Sequence, residues 1–534
     1  MATTDVELLP DPKRVIEGLR DTGYDFNTAI ADIVDNSVAA NANLIDLRIA
    51  MDFRGNLRVA IADDGDGMDV EGLKNAMRYG ARARPNPASL GKYGLGLKTA
   101  STAFCRRLSV ISRASGKAKP IMAVWDLDHV GQVGKWHLQL GDPDKEGVEH
   151  LNKVAPDRAG TVVVWSKIDR LLKDYANPSG GHARNALKQT VIKARDHLSM
   201  VYQRFLDLED TRARNVEMNV NDVKIGAWNP FAEGLSEMVG NQTVPVDLGK
   251  NAEASFSVRA FILPRREEFP SKELADEAKI SAPRQGIYIY RENRLLVAAT
   301  WLGMYQHEPH GSLLRVEFSF DHRLDDAFHL DIKKSQIGLN DDLYDWLHDS
   351  FLPAPRREAD RRYRVGEQKR VTKESEGAHK NSNNNIRDRE PSVGGADVQV
   401  VNPATGEVEV NNSHGRFRLK LPVGSANAPG EVYVQPADGI ANGMLFEPIM
   451  VEQKRAVRIN RSHPYYHKVY VPNLSRSVTV QGMDSLLWAL AVAELTAMRA
   501  QTSEYFKDLR YEMSRILEKL VEQLPDPDLE DDAT

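Results

Sequence analysis

Three short segments near the start of the chain carry residue types that could work together chemically. In Asp32-Ile-Val-Asp-Asn36 an acid stands four residues ahead of an amide, which on a helix puts both side chains on one face, a turn apart. A carboxylate placed so could activate a water while the amide oxygen ligates Mg²⁺. Taken alone, the pair also fits a polar helix face. The second segment, Asp63-Asp-Gly-Asp-Gly-Met68, follows a strand-like run. Its close glycines would let a ligand approach the backbone, and a carboxylate at a strand end can accept a hydrogen bond from an exocyclic amine. A turn or a calcium loop is the alternative, although neither Asp69 nor Glu71 supplies the spacing of a calcium loop. The third, Gly91-Lys-Tyr-Gly-Leu-Gly-Leu-Lys98, runs into Thr-Ala-Ser-Thr-Ala and would open a helix with free N–H groups facing phosphate. It narrowly misses a P-loop: Leu97 stands where lysine is required, and Ala83 to Leu90 reads as loop rather than strand.

These segments need a frame. A first helix opens at Pro12 and runs through Val15, Ile16 and Leu19. A second, from about Asn27 to Asn41, has Ala29, Ile30, Ile33, Val34 and Val38 on one face. Strands are expected at Leu44–Met51, Leu57–Ala62, Leu108–Ser112, Ile121–Asp126 and Thr161–Trp165, with a mobile connection from Met68 to Lys98. The alternation places an α/β (α+β) domain at 1–178. An amphipathic segment, Ala186 to Asp207, leads into a second domain at 179–355, marked by the hairpin Gly286–Tyr290 and Arg294–Val297 and by Arg315–Phe320. Residues 356–396 lose the apolar pattern; with eight basic and three acidic residues between Arg356 and Lys373, they read as a disordered basic linker that could touch phosphate backbones. A smaller C-terminal α+β domain, 397–534, has strands first and then helices. Its last helix repeats Phe506, Leu509, Met513, Ile516 and Leu520, as a core helix or a short coiled-coil contact, before an acidic tail.

Order and spacing together resemble the GHKL ATPases, the superfamily of gyrase B, the ninety-kilodalton heat-shock chaperones, sensor histidine kinases, MutL and MORC. The resemblance covers about residues 15–170 and implies a Bergerat-type ATP-binding sandwich of mixed sheet and helices. It places Asp32 as the general base and Asn36 as the Mg²⁺ ligand. Asp63 would read the adenine amine, with Gly67 and Met68 lining the base pocket. Gly91, Lys92, Gly94, Leu95, Gly96 and Leu97 fall in the phosphate-cradling lid, Lys98 would reach a phosphate, and Gly160-Thr161 resembles the last pocket motif. One departure concerns rate: hydrolytic members usually carry glutamate where this chain has Asp32, one methylene shorter. The second domain resembles the β-α-β transducer of gyrase B, MutL and MORC, in which one basic side chain returns to the γ-phosphate. The candidates are Lys333 and Lys334, with Lys334 preferred and a pair of surface lysines as the alternative. The hairpin and the Leu324–Lys334 stretch most resemble prokaryotic MORC-like proteins.

Composition narrows the function. The 534 residues carry a net charge of −6, which excludes nucleic-acid binding by overall charge but not by a local patch. One cysteine, Cys105, read as helix packing, excludes a disulfide framework and the cysteine-rich zinc module of eukaryotic MORC proteins. His307 and His310 lack a third metal ligand nearby. The longest uninterrupted apolar run, Leu486 to Ala493, is too short to span a bilayer, and the N-terminus shows no signal-peptide pattern. A cytoplasmic protein without membrane contact is the expectation. The leading function is an ATP-dependent dimerising clamp that closes its lid on Mg-ATP and reopens on hydrolysis. By resemblance its client is DNA, within a prokaryotic defence or restriction-like system with partner proteins. A very slow or non-catalytic ATP-gated scaffold or chaperone is the alternative. A histidine kinase is disfavoured because only about 27 residues precede the Asp32 helix. A topoisomerase is disfavoured because no cleavage module is visible beyond residue 355.

Overall fold

In the computed structural model, residues 10–21, 23–81, 88–90, 96–172, 175, 177, 179–247, 253–325, 328, 341–374, 377–474, 476–499 and 501–524 are described. The chain divides into two compact units, Met1–Arg361 and Arg362–Thr534.

The first unit opens with helices α1 (Pro12–Arg20) and α2 (Phe26–Ala39), then strands β1 (Leu44–Met51) and β2 (Leu57–Asp63). Next come α3 (Val70–Met77), α4 (Gly96–Phe104), β3 (Cys105–Arg113), β4 (Ile121–Asp126), α5 (Leu127–Val133), β5 (Gln139–Gly141), α6 (Lys145–Val154) and β6 (Gly160–Ile168). Helices α7 (Gly181–Val201) and α8 (Gln203–Leu206) lead into β7 (Glu217–Val220) and β8 (Val223–Lys224). The strands form one mixed sheet in the order β5-β4-β3-β6-β2-β1-β7-β8. Both faces are covered, and side-chain alternation decides which residue goes where. In β2, Leu57, Val59 and Ile61 join the large core under α2 and α4, while Ala60 and Ala62 join a smaller cluster with Leu151 and Val154 of α6. In β6, Val163 and Trp165 face the first core, and Val162 and Val164 the second.

Three expectations change here. The first domain does not end at 178: α7 and β7 complete its core through Leu187, Leu198, Met218 and Val220, because β7 pairs in parallel with β1 and extends the sheet. The stretch from Met68 to Lys98 contains the helix α3, whose N-cap Asp69 accepts from the Gly72 amide. Cys105 is not helical but the first, fully buried residue of β3.

The rest of this unit has strands β9 (Glu237–Asp247) and β10 (Glu253–Ile262), helix α9 (Lys272–Glu277), then β11 (Gly286–Arg291), β12 (Arg294–Thr300) and β13 (Leu314–Phe320). They form a five-stranded sheet in the order β12-β11-β13-β10-β9, in which β11 and β13 are parallel. Leu343 of helix α10 (Asp341–Asp345), with Leu347 and Phe351, packs in the core of this sheet.

Residues 356–396, expected to be disordered, are largely helical: α11 (Pro353–Glu374) and α12 (Lys380–Val393) cover most of them. The reason lies in four residues whose partners are far away in sequence. Ile386 enters an apolar core with Val434 and Trp488, Asn383 accepts from the amides of Tyr433 and Val434, and His379 and Ser382 both bond Asp484. Beyond α12 come β14 (Asp397–Asn402), β15 (Glu407–Asn412) and β16 (Gly415–Lys420) as one antiparallel sheet. A second sheet, ordered β17-β19-β20-β18, uses β17 (Val423–Gly424), β18 (Val434–Ala437), β19 (Phe446–Val451) and β20 (Lys454–Asn460). Helices α13 (Ser477–Ala497) and α14 (Ser503–Val521) follow.

Val478–Ala497 is long and apolar enough by composition to cross a membrane, although its longest unbroken apolar run is only eight residues; Val480, Leu487, Trp488, Ala491 and Val492 of it lie in the core of this unit. The apolar stripe expected on α14 splits: Met513 and Leu517 pack inward, while Leu509, Ile516 and Leu520 are exposed.

Candidate functional site

Helix α2 is capped by Asp25, whose carboxylate accepts from the amides of Asn27 and Thr28, and it is apolar along most of its length. The polar residues within it are therefore conspicuous. Asp32, Asp35 and Ser37 are all buried, and Asn36 is half-buried. Asp32 Oδ2 accepts from the Tyr24 hydroxyl at 2.9 Å. The Asn36 amide nitrogen donates to the Asp32 carbonyl at 2.8 Å, which makes its side-chain oxygen the atom suited to a hard cation.

Strand alternation places the second group. Asp63 lies on the same face of β2 as Leu57, Val59 and Ile61, which points it at α2. Ser37 of α2 donates to its Oδ2 at 2.7 Å, and the Gly65 amide to its Oδ1 at 3.0 Å. Burial pushes the Asp63 carboxyl up to about 6, opposed by those donors. Across the sheet Asp63 pairs with Thr161 of β6, and Thr161 with Ser112 of β3. The Thr161 and Ser112 hydroxyls are 2.9 Å apart, and the Met68 amide donates to Ser112 Oγ at 2.8 Å. Asp63, Thr161 and Ser112 thus form a polar row over three adjacent strands on the helix-covered face. Gly67 adopts φ +64°, and a Cβ there would stand 2.1 Å from the Arg113 carbonyl oxygen, so the turn carrying Met68 needs glycine at this point.

The third group is only partly within the described residues: Gly91, Lys92, Gly94 and Leu95 lie outside them, as do Lys333 and Lys334. Gly96 opens α4, and a Cβ on it would stand 3.9 Å from Asp32 Oδ2. The positive end of this nine-residue helix therefore begins beside the acid of α2. Leu97 packs against the main core. Lys98 is buried, and its ammonium donates at 2.9 Å to the Ala76 carbonyl near the C-terminal end of α3, which ties α4 to α3.

The structure adds residues to which sequence reasoning gave no role. Asp35 is bound by Tyr202, the residue that caps the C-terminus of α7, whose hydroxyl lies 2.7 Å from Oδ1, and by Arg294 of β12, whose Nε donates to the same oxygen at 3.2 Å. Arg294 Nη2 is 3.8 Å from Asp32 Oδ1. Burial opposes the charge on this guanidinium, but Asp35 and Asp32 outweigh it and hold Arg294 ionised. Two signals were available: a second acid among the apolar residues of α2 needs a partner, and Arg294 heads a strand that is apolar through Ala299.

Comparison with known proteins agrees with this geometry. Residues 24–161 match the family model of the histidine kinase-, DNA gyrase B- and HSP90-like ATPases. A stretch of 77 residues is 35% identical to the ATPase MORC2B of Mus musculus, covering 14% of this chain and 8% of that protein's length. A crystal structure of the N-terminal domain of a DNA repair protein is similar at 17% identity and a TM-score of 0.38, over 67% of this chain and 99% of that one. The family match runs from Tyr24 through the acids of α2 and β2 to Thr161, the residues that build the polar pocket, so this region of the chain is similar to the ATP-binding domain of the GHKL-type ATPases.

Proposed function

We propose that the first unit binds Mg-ATP between α2, the Asp63–Thr161–Ser112 row and the start of α4, and hydrolyses it slowly to drive a dimerising clamp. Asp63 accepts a hydrogen bond from the adenine amine, the Met68 turn borders the base, and the α4 N-terminus faces the phosphates. Asn36 holds Mg²⁺ through its amide oxygen; the ion neutralises phosphate charge when bound. Asp32 takes a proton from the attacking water. Lys334 contacts the γ-phosphate and reports it to the transducer-like sheet, the Gly91–Leu97 flap closes, and two chains associate. DNA is the proposed client, in a prokaryotic defence setting. The observation that carries the reading is the opening of α4 beside Asp32, with a Gly96 Cβ position 3.9 Å from Oδ2, because it puts a general-base candidate where an anion-binding helix end begins. The slow-scaffold reading also has an observation behind it: Asp32 is a short acid that faces a buried guanidinium, which reduces its strength as a base.

The test has two steps. Calorimetry with Mg-ATP should show binding by the full chain, and Asp32→Asn should retain that binding while steady-state phosphate release falls by about 100-fold or more. Unchanged turnover in Asp32→Asn would remove Asp32 from the role of base. Light scattering with a non-hydrolysable ATP analogue, with and without duplex DNA, then tests the clamp: mass should double with nucleotide, and DNA should be retained only then.

A further inference from the structure

The β11–β12 hairpin turns on two residues, Glu292 and Asn293, with φ of 47° and 69°. A turn with both central residues at positive φ matches the twist of the flanking strands and fixes their register. Arg291 and Arg294 therefore face each other as a register pair at the root of the turn. Both are buried, yet they reach different elements. Arg291 forks onto Asp325, with Nε and Nη2 at 2.6 and 2.8 Å, and its Nη1 donates to the Ser89 carbonyl at 3.4 Å, in the connection that leads to the glycine flap. Arg294 reaches the acidic helix, bonding Asp35 and facing Asp32.

Among the described residues, Arg294 is a cation that faces Asp32. Tyr24 is neutral and donates a hydrogen bond. Tyr202 is buried and held neutral, and it is occupied with Asp35 and the Ala31 carbonyl. His197 is driven down to about 4 by burial and by the charge of Arg294, so it is uncharged at neutral pH. Arg294 is also well placed to orient the acid, since its planar fork has one nitrogen fixed on Asp35 and another aimed at Asp32.

We propose that Arg294 is a positioning residue for hydrolysis: anchored on Asp35, it aims the Asp32 carboxylate at the mouth of α4, so the placement of the β11–β12 hairpin sets the readiness of the base. The proposal rests on the ATPase reading above. It makes a specific demand, because Arg294 bonds neither Asp63, Thr161 nor Ser112 and should therefore govern turnover and not nucleotide affinity.

The experiment uses the full chain and three variants: Arg294→Gln, Arg294→Lys and the double variant Arg294→Gln/Asp35→Asn. For each, the affinity for a non-hydrolysable ATP analogue with Mg²⁺ is measured, together with single-turnover hydrolysis. Arg294→Gln should lower the hydrolytic rate by about 10- to 100-fold while affinity stays within about threefold. Arg294→Lys should recover part of the rate, keeping the charge but not the fork. The double variant, which removes cation and anion together, should regain thermal stability without regaining rate; it and the lysine variant keep the test open if Arg294→Gln does not fold. Wild-type rate in folded Arg294→Gln, or full recovery of rate in the double variant, would overturn the proposal and leave Arg294 as a neutralising partner of Asp35. A wild-type chain that binds Mg-ATP but never cleaves it would instead overturn the hydrolytic reading itself.

Discussion

Each unit of the molecule buries a cluster of ionisable groups, and the two clusters differ in their surroundings. In the unit 362–534, Asp484 Oδ2 accepts from His379 Nδ1 at 2.8 Å and from Ser382, while His379 Nε2 meets the Tyr466 hydroxyl at 3.0 Å and the Tyr466 ring stacks on Tyr470 at 4.7 Å. Asp484 Oδ1 and the Tyr470 hydroxyl have no hydrogen-bond partner among the described residues, and the contacts that are made fasten α12 to α13. In the unit 1–361, Arg294 faces both Asp32 and Asp35, and a Cβ on Gly96 at the start of α4 would stand 3.9 Å from Asp32 Oδ2. Polar contacts between two packed helices stabilise a fold, whereas an acid beside a helix N-terminus is a candidate place for a ligand.

That contrast can be broken by mutation, and the largest effect is expected in the C-terminal cluster. Asp484→Ala strips His379 and Ser382 of their shared acceptor in a fully buried site. It should destabilise the C-terminal unit by about 3 kcal/mol, read by denaturant titration, while ATP affinity stays unchanged. Lost ATP binding in a folded Asp484→Ala protein would show that the cluster is not purely structural.

A smaller effect belongs to Asp63. Asp63→Asn should weaken ATP binding by about tenfold, because an acceptor for the adenine amine becomes half donor. In the wild type the same affinity should fall as pH drops through about 6, where the buried carboxyl takes up its proton. Folding stability moves with the opposite sign. The native carboxyl binds its proton up to about 6 and the unfolded one only to about 3.8, so its contribution is full at the acid end and lost as pH rises through 6. Asp63→Asn should therefore flatten the pH dependence of Tm between about pH 4 and 6. An unaltered slope would place Asp63 outside the pocket.

The smallest effect sharpens the reading of α14. Leu509 is 55% exposed, so Leu509→Ser should change stability by less than about 0.5 kcal/mol. A loss of several kcal/mol would show that this face is covered.

Much of the site was legible because its signals are local. The Asp32–Asn36 spacing, the glycines after β2 and the helix-opening glycine Gly96 depend on neighbours a few residues away. Where sequence reading failed, the cause was distance. The order of α12 depends on Asp484, about a hundred positions on, and the closing strand β7 pairs with β1 from beyond residue 215. Lys98 shows the same dependence at shorter range: its bond to the Ala76 carbonyl exists only because α3 packs beside α4.

Periodicity by itself determined that α2 has one apolar stripe and that Asp63 ends a strand facing it, because 3.6- and 2-residue repeats are properties of the local backbone. Only the tertiary structure decided that the second acid of that helix is answered by Arg294, 259 positions later. The physical reason is that a buried charge demands a counter-charge in space, and nothing in a run of neighbouring residues records which distant strand will bring it.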